Sequence, residues 1–140
     1  MSSRVAEQVE VPSQIMRAFV AHARFCHPEE ACGLLAVDDA GRLQMAYATT
    51  NVDGSRVHFT VSPREHFSAI RHAESRGWSI GGSFHSHPES AAFPSARDIS
   101  GALDPAWLYV VVGMGGAVTE VRGFRIRQGI VEEVSLVEVP

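Results

Sequence analysis

Apolar and polar positions along the chain follow two periods. Gln8-Val9-Glu10-Val11 alternates, which predicts a half-exposed strand. Ser13 is placed to cap a helix, and Ile15, Met16, Phe19, Val20 and Ala23 recur at helical spacing before Pro28, the pattern of a core helix. Ala31 to Val37 is a compact apolar run, Asp38-Asp39-Ala40-Gly41 reads as a turn, and Arg42 to Thr49 returns, so a hairpin is expected. After the loop Asn51-Val52-Asp53-Gly54-Ser55, the stretch Val57-His58-Phe59-Thr60-Val61 alternates as another strand.

Ser62-Pro63-Arg64-Glu65 carries a helix start: a capping serine, proline at the first position and an acid three residues after the cap. Phe67, Ile70 and Ala73 or Glu74 continue its period to a stop at Gly77. A strand from Trp78 to the His85-Ser86-His87 end follows, then a short helix from Ser95 to Leu103 closed by Asp104-Pro105. Trp107 to Val112 is unbroken apolar sequence suited to a sheet centre. Val118 to Ile126 and Ile130 to Val139 complete the chain as two alternating strands. The sum is an α/β domain over residues 8–140, a mixed sheet of six to eight strands with about three helices, behind a flexible N-terminus of residues 1–7.

Composition narrows the functional classes. At 140 residues the chain is one domain, able to bury roughly two thirds of the surface its unfolded form exposes. A net charge of -4 gives no electrostatic reason to expect nucleic acid or an anionic membrane as partner. No apolar run approaches a membrane span, and the first residues lack the apolar core of a signal peptide. Cys26 and Cys32 make neither a Cys-x-x-Cys pair nor a disulfide framework, so a cytoplasmic, reduced protein is expected. Cys32 is read as a small core residue. His22, His27, His58, His66 and His72 are read as surface or helix-end residues, although His66 would approach a substrate if its helix borders a cleft.

The chemistry concentrates in Gly81-Gly82-Ser83-Phe84-His85-Ser86-His87-Pro88 and Pro94-Ser95-Ala96-Arg97-Asp98. Residues two apart on a strand share a face, so His85 and His87 present two convergent nitrogens, half of a zinc site. Pro88 takes the chain out of the sheet, leaving the histidines at its accessible end. Ser95 and Asp98 stand at capping-box spacing; Asp98 is either an ordinary cap or a third ligand. Two histidines, one carboxylate and an open fourth position form the pattern of a catalytic zinc. Phe93, in the loop between the ligands, is a candidate to touch substrate or to pack that loop.

His85-Ser86-His87-Pro88, six intervening residues, Ser95, two more and Asp98 resembles the signature of the JAMM metalloproteases, also called MPN-plus or Mov34/PAD-1 domains. Pro28-Glu29-Glu30-Ala31-Cys32-Gly33-Leu34-Leu35 resembles the upstream glutamate segment of that family, with Glu30 in register. Read alone, Glu30 would be a solvated acid beside Glu29. The resemblance runs from about Ser13 to the C-terminus and is greatest toward compact bacterial Mec-type peptidases acting on ubiquitin-like sulfur carrier proteins. It implies a cytidine-deaminase-like architecture, one Zn2+ per chain held by His85, His87 and Asp98, Glu30 as general acid and base, and Ser95 as donor to the oxyanion. The implied substrate is a carrier tail ending in Gly-Gly, with release of an amino acid such as cysteine. Two rival readings are a non-catalytic MPN scaffold, which would not need the complete residue set, and a RadC-like DNA-associated domain, which the acidic chain disfavours.

Overall fold

The computed structural model describes residues 6–140. In chain order the elements are β1 (Gln8–Pro12), α1 (Ser13–Cys26), β2 (Cys32–Val37), β3 (Leu43–Thr49), α2 (Pro63–Ser75), β4 (Ser79–His87), α3 (Ala96–Gly101), β5 (Leu108–Gly113), β6 (Glu120–Arg127) and β7 (Ile130–Val139). The strands form one sheet in the order β1-β7-β6-β5-β4-β2-β3. Pairing is parallel at β1/β7 and β4/β5 and antiparallel elsewhere, so the sheet is mixed as the sequence predicts. The sheet curls until its edge strands β1 and β3 touch. Among the described residues no helix is long and apolar enough to cross a membrane.

β5 occupies the middle of the seven strands because its apolar residues have no polar side to give to water. Val110 and Val112 face α1, where they pack with Phe19, Leu35 and Phe84; Val111 faces the other way, into a second cluster with Phe124 and Ile126. Phe19 and Phe84 meet with ring centroids 4.9 Å apart. Each is fully buried, worth about 1.5–3 kcal/mol of transfer free energy. The Phe84 ring lies where a Cβ on Gly33 of the neighbouring strand would stand, so position 33 admits only glycine.

Four local readings are corrected. Val57 to Val61 forms no strand: a single bridge joins Asn51 to Val61. The Asn51 side chain replaces a ladder, its Nδ2 donating to the carbonyls of Glu30 (3.1 Å) and His58 (3.0 Å) and its Oδ1 accepting from the amides of Asp53 and Thr60 (3.1 Å each). Ser13 lies inside α1 rather than capping it; Pro12 takes the cap position and Ser13 Oγ donates to Val139 O at 3.0 Å, tying the helix to the last strand. α3 stops at Gly101, short of the predicted Leu103, which is exposed. His22 is not a surface residue, since its Nε2 lies between the carbonyls of Cys32 (3.2 Å) and Thr49 (3.0 Å) and must carry the proton there.

α2 also settles differently from its predicted stripe. Phe67 points outward while Ala69 and Ala73 are buried, because methyl side chains let the helix lie close on the sheet. Most of the N-terminal stretch expected to be flexible lies outside the described residues. Glu7, at its end, pairs with Arg125 at 2.8 Å and accepts from Ser135 N.

Candidate metal centre

β4 delivers both histidines to one face. Its pairing with β2 sets Cys32 opposite His85, and the hydrogen bonds Ser86 N to Ala31 O (3.0 Å) and Ala31 N to Ser86 Oγ (2.8 Å) carry the register one residue further. Extended once more, that register brings Glu30 opposite His87, on the face the histidines share. Glu30 is fixed by its backbone, donating from N to Ser55 O at 2.8 Å and accepting from Asn51 Nδ2. Its side chain is buried, 4% exposed, whereas Glu29 is exposed.

α3 supplies the third group. Ser95 Oγ accepts from Asp98 N at 3.1 Å, and Asp98 Oδ2 accepts from Ser95 N at 2.9 Å, a complete capping box. The same Oδ2 lies 3.0 Å from His85 Nε2 and 3.0 Å from His87 Nε2, and the two nitrogens are 3.1 Å apart. His87 Nδ1 donates to Ala91 O at 3.0 Å, which fixes the proton there and leaves Nε2 as a lone-pair atom. Three atoms able to ligate a metal, from three side chains, thus crowd one point. A cation there would be held by all three. His85, His87 and Asp98 therefore form a group that can hold a metal ion.

The loop between the ligands is held from below. Met114 N donates to His87 O at 3.0 Å and Gly115 N to Ser90 O at 3.1 Å. A side chain at Gly113 would collide with the backbone of Ala91 and Ala92, so glycine is what lets the loop lie flat against β5. Phe93 packs edge-on to Phe124 at 5.4 Å, which assigns it to loop packing.

Burial raises the Glu30 carboxyl to about 7, with the Asp98 charge adding and the His87 and Arg97 charges opposing. Its Oε1 is buried without a hydrogen-bond partner, an arrangement that costs stability and marks an atom reserved for something else. For Asp98, burial works upward but is outweighed by the hydrogen bonds of His85, His87 and Ser95, which hold it far below the usual carboxylate range. For His87, burial works downward but the Asp98 and Ala91 hydrogen bonds prevail and raise it.

A cavity of about 460 Å³ opens on His85 and Asp98, walled by Phe59, His66, Arg97 and Trp107 among others. Phe59 stacks on His85 with centroids 4.6 Å apart. His66 does border the cleft. Phe59, Asn51 and Ser86 were not singled out by sequence reasoning as parts of the site. The alternation at 57–61 placed Phe59 on one face without saying which, and a lone asparagine in a loop or serine between histidines carries no signal of its own.

Such a centre, with two histidines at the end of a buried strand, an aspartate from the first turn of a short helix and a buried acid opposite them, defines the class of metal-dependent JAB-type domains. The chain belongs to the family described as prokaryotic homologs of the JAB domain, which matches residues 12–127. It is 34% identical over 120 residues to a desampylase of Haloferax volcanii, spanning 84% of this chain and 86% of the relative. It is 33% identical over 132 residues to the CysO-cysteine peptidase of Mycobacterium tuberculosis, spanning 91% of this chain and 90% of the relative. A solution structure of a Desulfitobacterium hafniense protein superposes with a TM-score of 0.84 at 32% identity, covering 94% of this chain and 92% of the other. A JAB1/MPN domain protein from Archaeoglobus fulgidus has the same fold at a TM-score of 0.59 and 18% identity, over 93% of this chain and all of the other. Neither the scaffold nor the RadC-like reading is favoured by these relatives.

Proposed function

We propose that this protein is a zinc peptidase that hydrolyses the amide bond after the C-terminal Gly-Gly of a ubiquitin-like sulfur carrier protein, with one zinc held by His85, His87 and Asp98. The observation that carries it is the unpartnered Oε1 of Glu30, buried on a residue that the β2/β4 register sets opposite His87, where three side-chain atoms able to ligate a metal converge and His85 and Asp98 open on a cavity. Zinc, when bound, supplies Lewis acidity toward the scissile carbonyl and the attacking water. Glu30 Oε1 takes the proton from that water and returns it to the departing nitrogen. A carboxyl poised near neutrality suits both transfers, which together contribute about 10²–10⁴-fold. Ser95 Oγ already accepts from Asp98 N, so its own proton is free to be donated to the developing oxyanion.

The names of the two curated relatives support the substrate class, since one is a desampylase and the other a CysO-cysteine peptidase. A Gly-Gly tail has no side chain to obstruct a narrow approach to the ligands. The test is incubation of the zinc-loaded protein with carriers ending in Gly-Gly-Cys, read by mass spectrometry. Trimming to Gly-Gly, stopped by chelation and slowed strongly when the second Gly is replaced by Val, is the expected result. No cleavage of any carrier, or equal rates on Gly and Val tails, would overturn this substrate class.

A further inference from the structure

One wall residue of the metal cavity has no place in the chemistry above. Arg97 lies between Ser95 and Asp98 in the first turn of α3, is exposed, and lines the cavity. Three arginines beside carboxylates in this protein are engaged, Arg42 with Asp38, Arg122 with Glu133 and Arg125 with Glu7. Arg97 has no such pair among the described residues, although two acids share its cavity. Asp98 Oδ2 is committed to the histidines and the cap, and Asp104 Oδ1 accepts from Ala106 N at 2.9 Å. The other basic side chains on that wall are His66 and His85, the latter engaged with Asp98. Phe59, Thr60 and Val61 line the same cavity as Arg97 and follow the loop whose Asn51 and Ser55 hold the Glu30 backbone, so the cavity that Arg97 lines is bordered by the segment next to Glu30.

That border is where the leaving group departs, because Glu30 hands it the proton. We infer that Arg97 binds the α-carboxylate of the amino acid being released, and so selects carriers extended by one residue with a free C-terminus over isopeptide-linked conjugates. The inference rests on the proposed peptidase reading. In the reaction water adds its oxygen to the glycine carbonyl carbon, the C–N bond breaks, and the products are the Gly-Gly carboxylate and an amino acid carrying both ammonium and carboxylate. In that substrate the carboxylate is one carbon from the scissile nitrogen. A lysine side chain joined through its ε-amine has no carboxylate there, only methylenes. A guanidinium on the wall of this cavity therefore meets a partner in the first substrate and none in the second, and its planar fork suits a carboxylate bidentately.

The experiment uses three synthetic tails with the zinc-loaded protein: Gly-Gly-Cys with a free acid, the same peptide as its C-terminal carboxamide, and Gly-Gly joined to lysine Nε. The wild type should prefer the acid to the carboxamide by roughly tenfold in kcat/KM, the scale of one charge-assisted pair at a wet site. Arg97→Gln should bring the ratio near one by raising KM on the acid alone, and Arg97→Lys should keep part of it. An acid/carboxamide ratio near one in the wild type, or a ratio unchanged in Arg97→Gln, overturns the inference. Binding is read separately by calorimetry in zinc-loaded Glu30→Gln, where turnover does not interfere. The acid should bind about tenfold tighter than the carboxamide, and adding Arg97→Gln should abolish the difference; equal affinities overturn the inference even if no tail is cut. Loss of cleavage of all three tails with the binding preference intact would instead refute the peptidase reading and leave Arg97 as a carboxylate site.

Discussion

β4 has two faces built to opposite specifications. Toward α1 it presents Phe84, which fills space against Phe19 and closes the chain over Gly33. On the other face it presents Ser83, His85 and His87, buried polar groups of which the first two line the cavity. Neighbouring residues thus serve different ends: the apolar face supplies rigidity, and the polar face lies opposite Glu30, whose Oε1 is buried without a partner. A strand held firmly from behind can keep buried polar groups in place in front, beside an acid that has no partner of its own.

The sharpest way to break the comparison is to remove a ligand. His85→Ala or Asp98→Ala should take zinc from one per chain to background by elemental analysis, with turnover lost entirely, because three ligands are needed for a stable catalytic site. Stoichiometric zinc in both variants would sink the assignment. Glu30→Gln should keep zinc and fold while turnover falls about 10²–10⁴-fold, roughly 3–5 kcal/mol on the barrier. Glu29→Gln, on an exposed acid, should stay within about twofold of wild type by the same assay.

On the opposite face, Phe84→Ala should cost about 3–5 kcal/mol in denaturant unfolding while zinc content in the folded state is unchanged. If it also removed zinc, the two faces would not be separable. A pH series on the metal-free protein sharpens the contrast further. Glu30 is raised from 4.5 to about 7 by burial, so the folded state holds its proton more tightly than the unfolded state. The resulting stability is complete below pH 4.5 and is lost as pH rises toward about 7. Metal-free Glu30→Gln should therefore gain on wild type by on the order of 1–3 kcal/mol above pH 7, the gain fading toward pH 4.5. Asn51→Ala should cost about 1–2 kcal/mol in stability, with reduced turnover and retained zinc, because it unties the backbone of Glu30 and the 51–58 loop together.

Most of the sheet was legible because a period of two or an unbroken apolar run reports burial directly: the β2/β3 hairpin, the central β5 and the final β6/β7 pair all follow from it. The cluster of His85, His87 and Asp98, which can hold a metal ion, was legible as spacing. What the periods could not report is competition for backbone groups. The 57–61 stretch alternates like a strand, yet one asparagine amide satisfies the backbone partners that a ladder would have used. Nor could they report His22, whose proton is drawn inward by two carbonyls brought together only by the fold. The burial of Glu30 over Glu29 depends likewise on strand register, which a pair of adjacent acids does not reveal.

Asp98 carries two duties through one oxygen, closing α3 at Ser95 N and facing both histidines. An asparagine at 98 would place a carbonyl oxygen in the same spot and still accept from Ser95 N, while bringing no negative charge to the ligand set. The helix would stay capped as the centre lost its anion. A single-residue exchange can therefore silence this domain without unfolding it, so a lineage can pass from enzyme to inert binding module through sequences that all remain well folded.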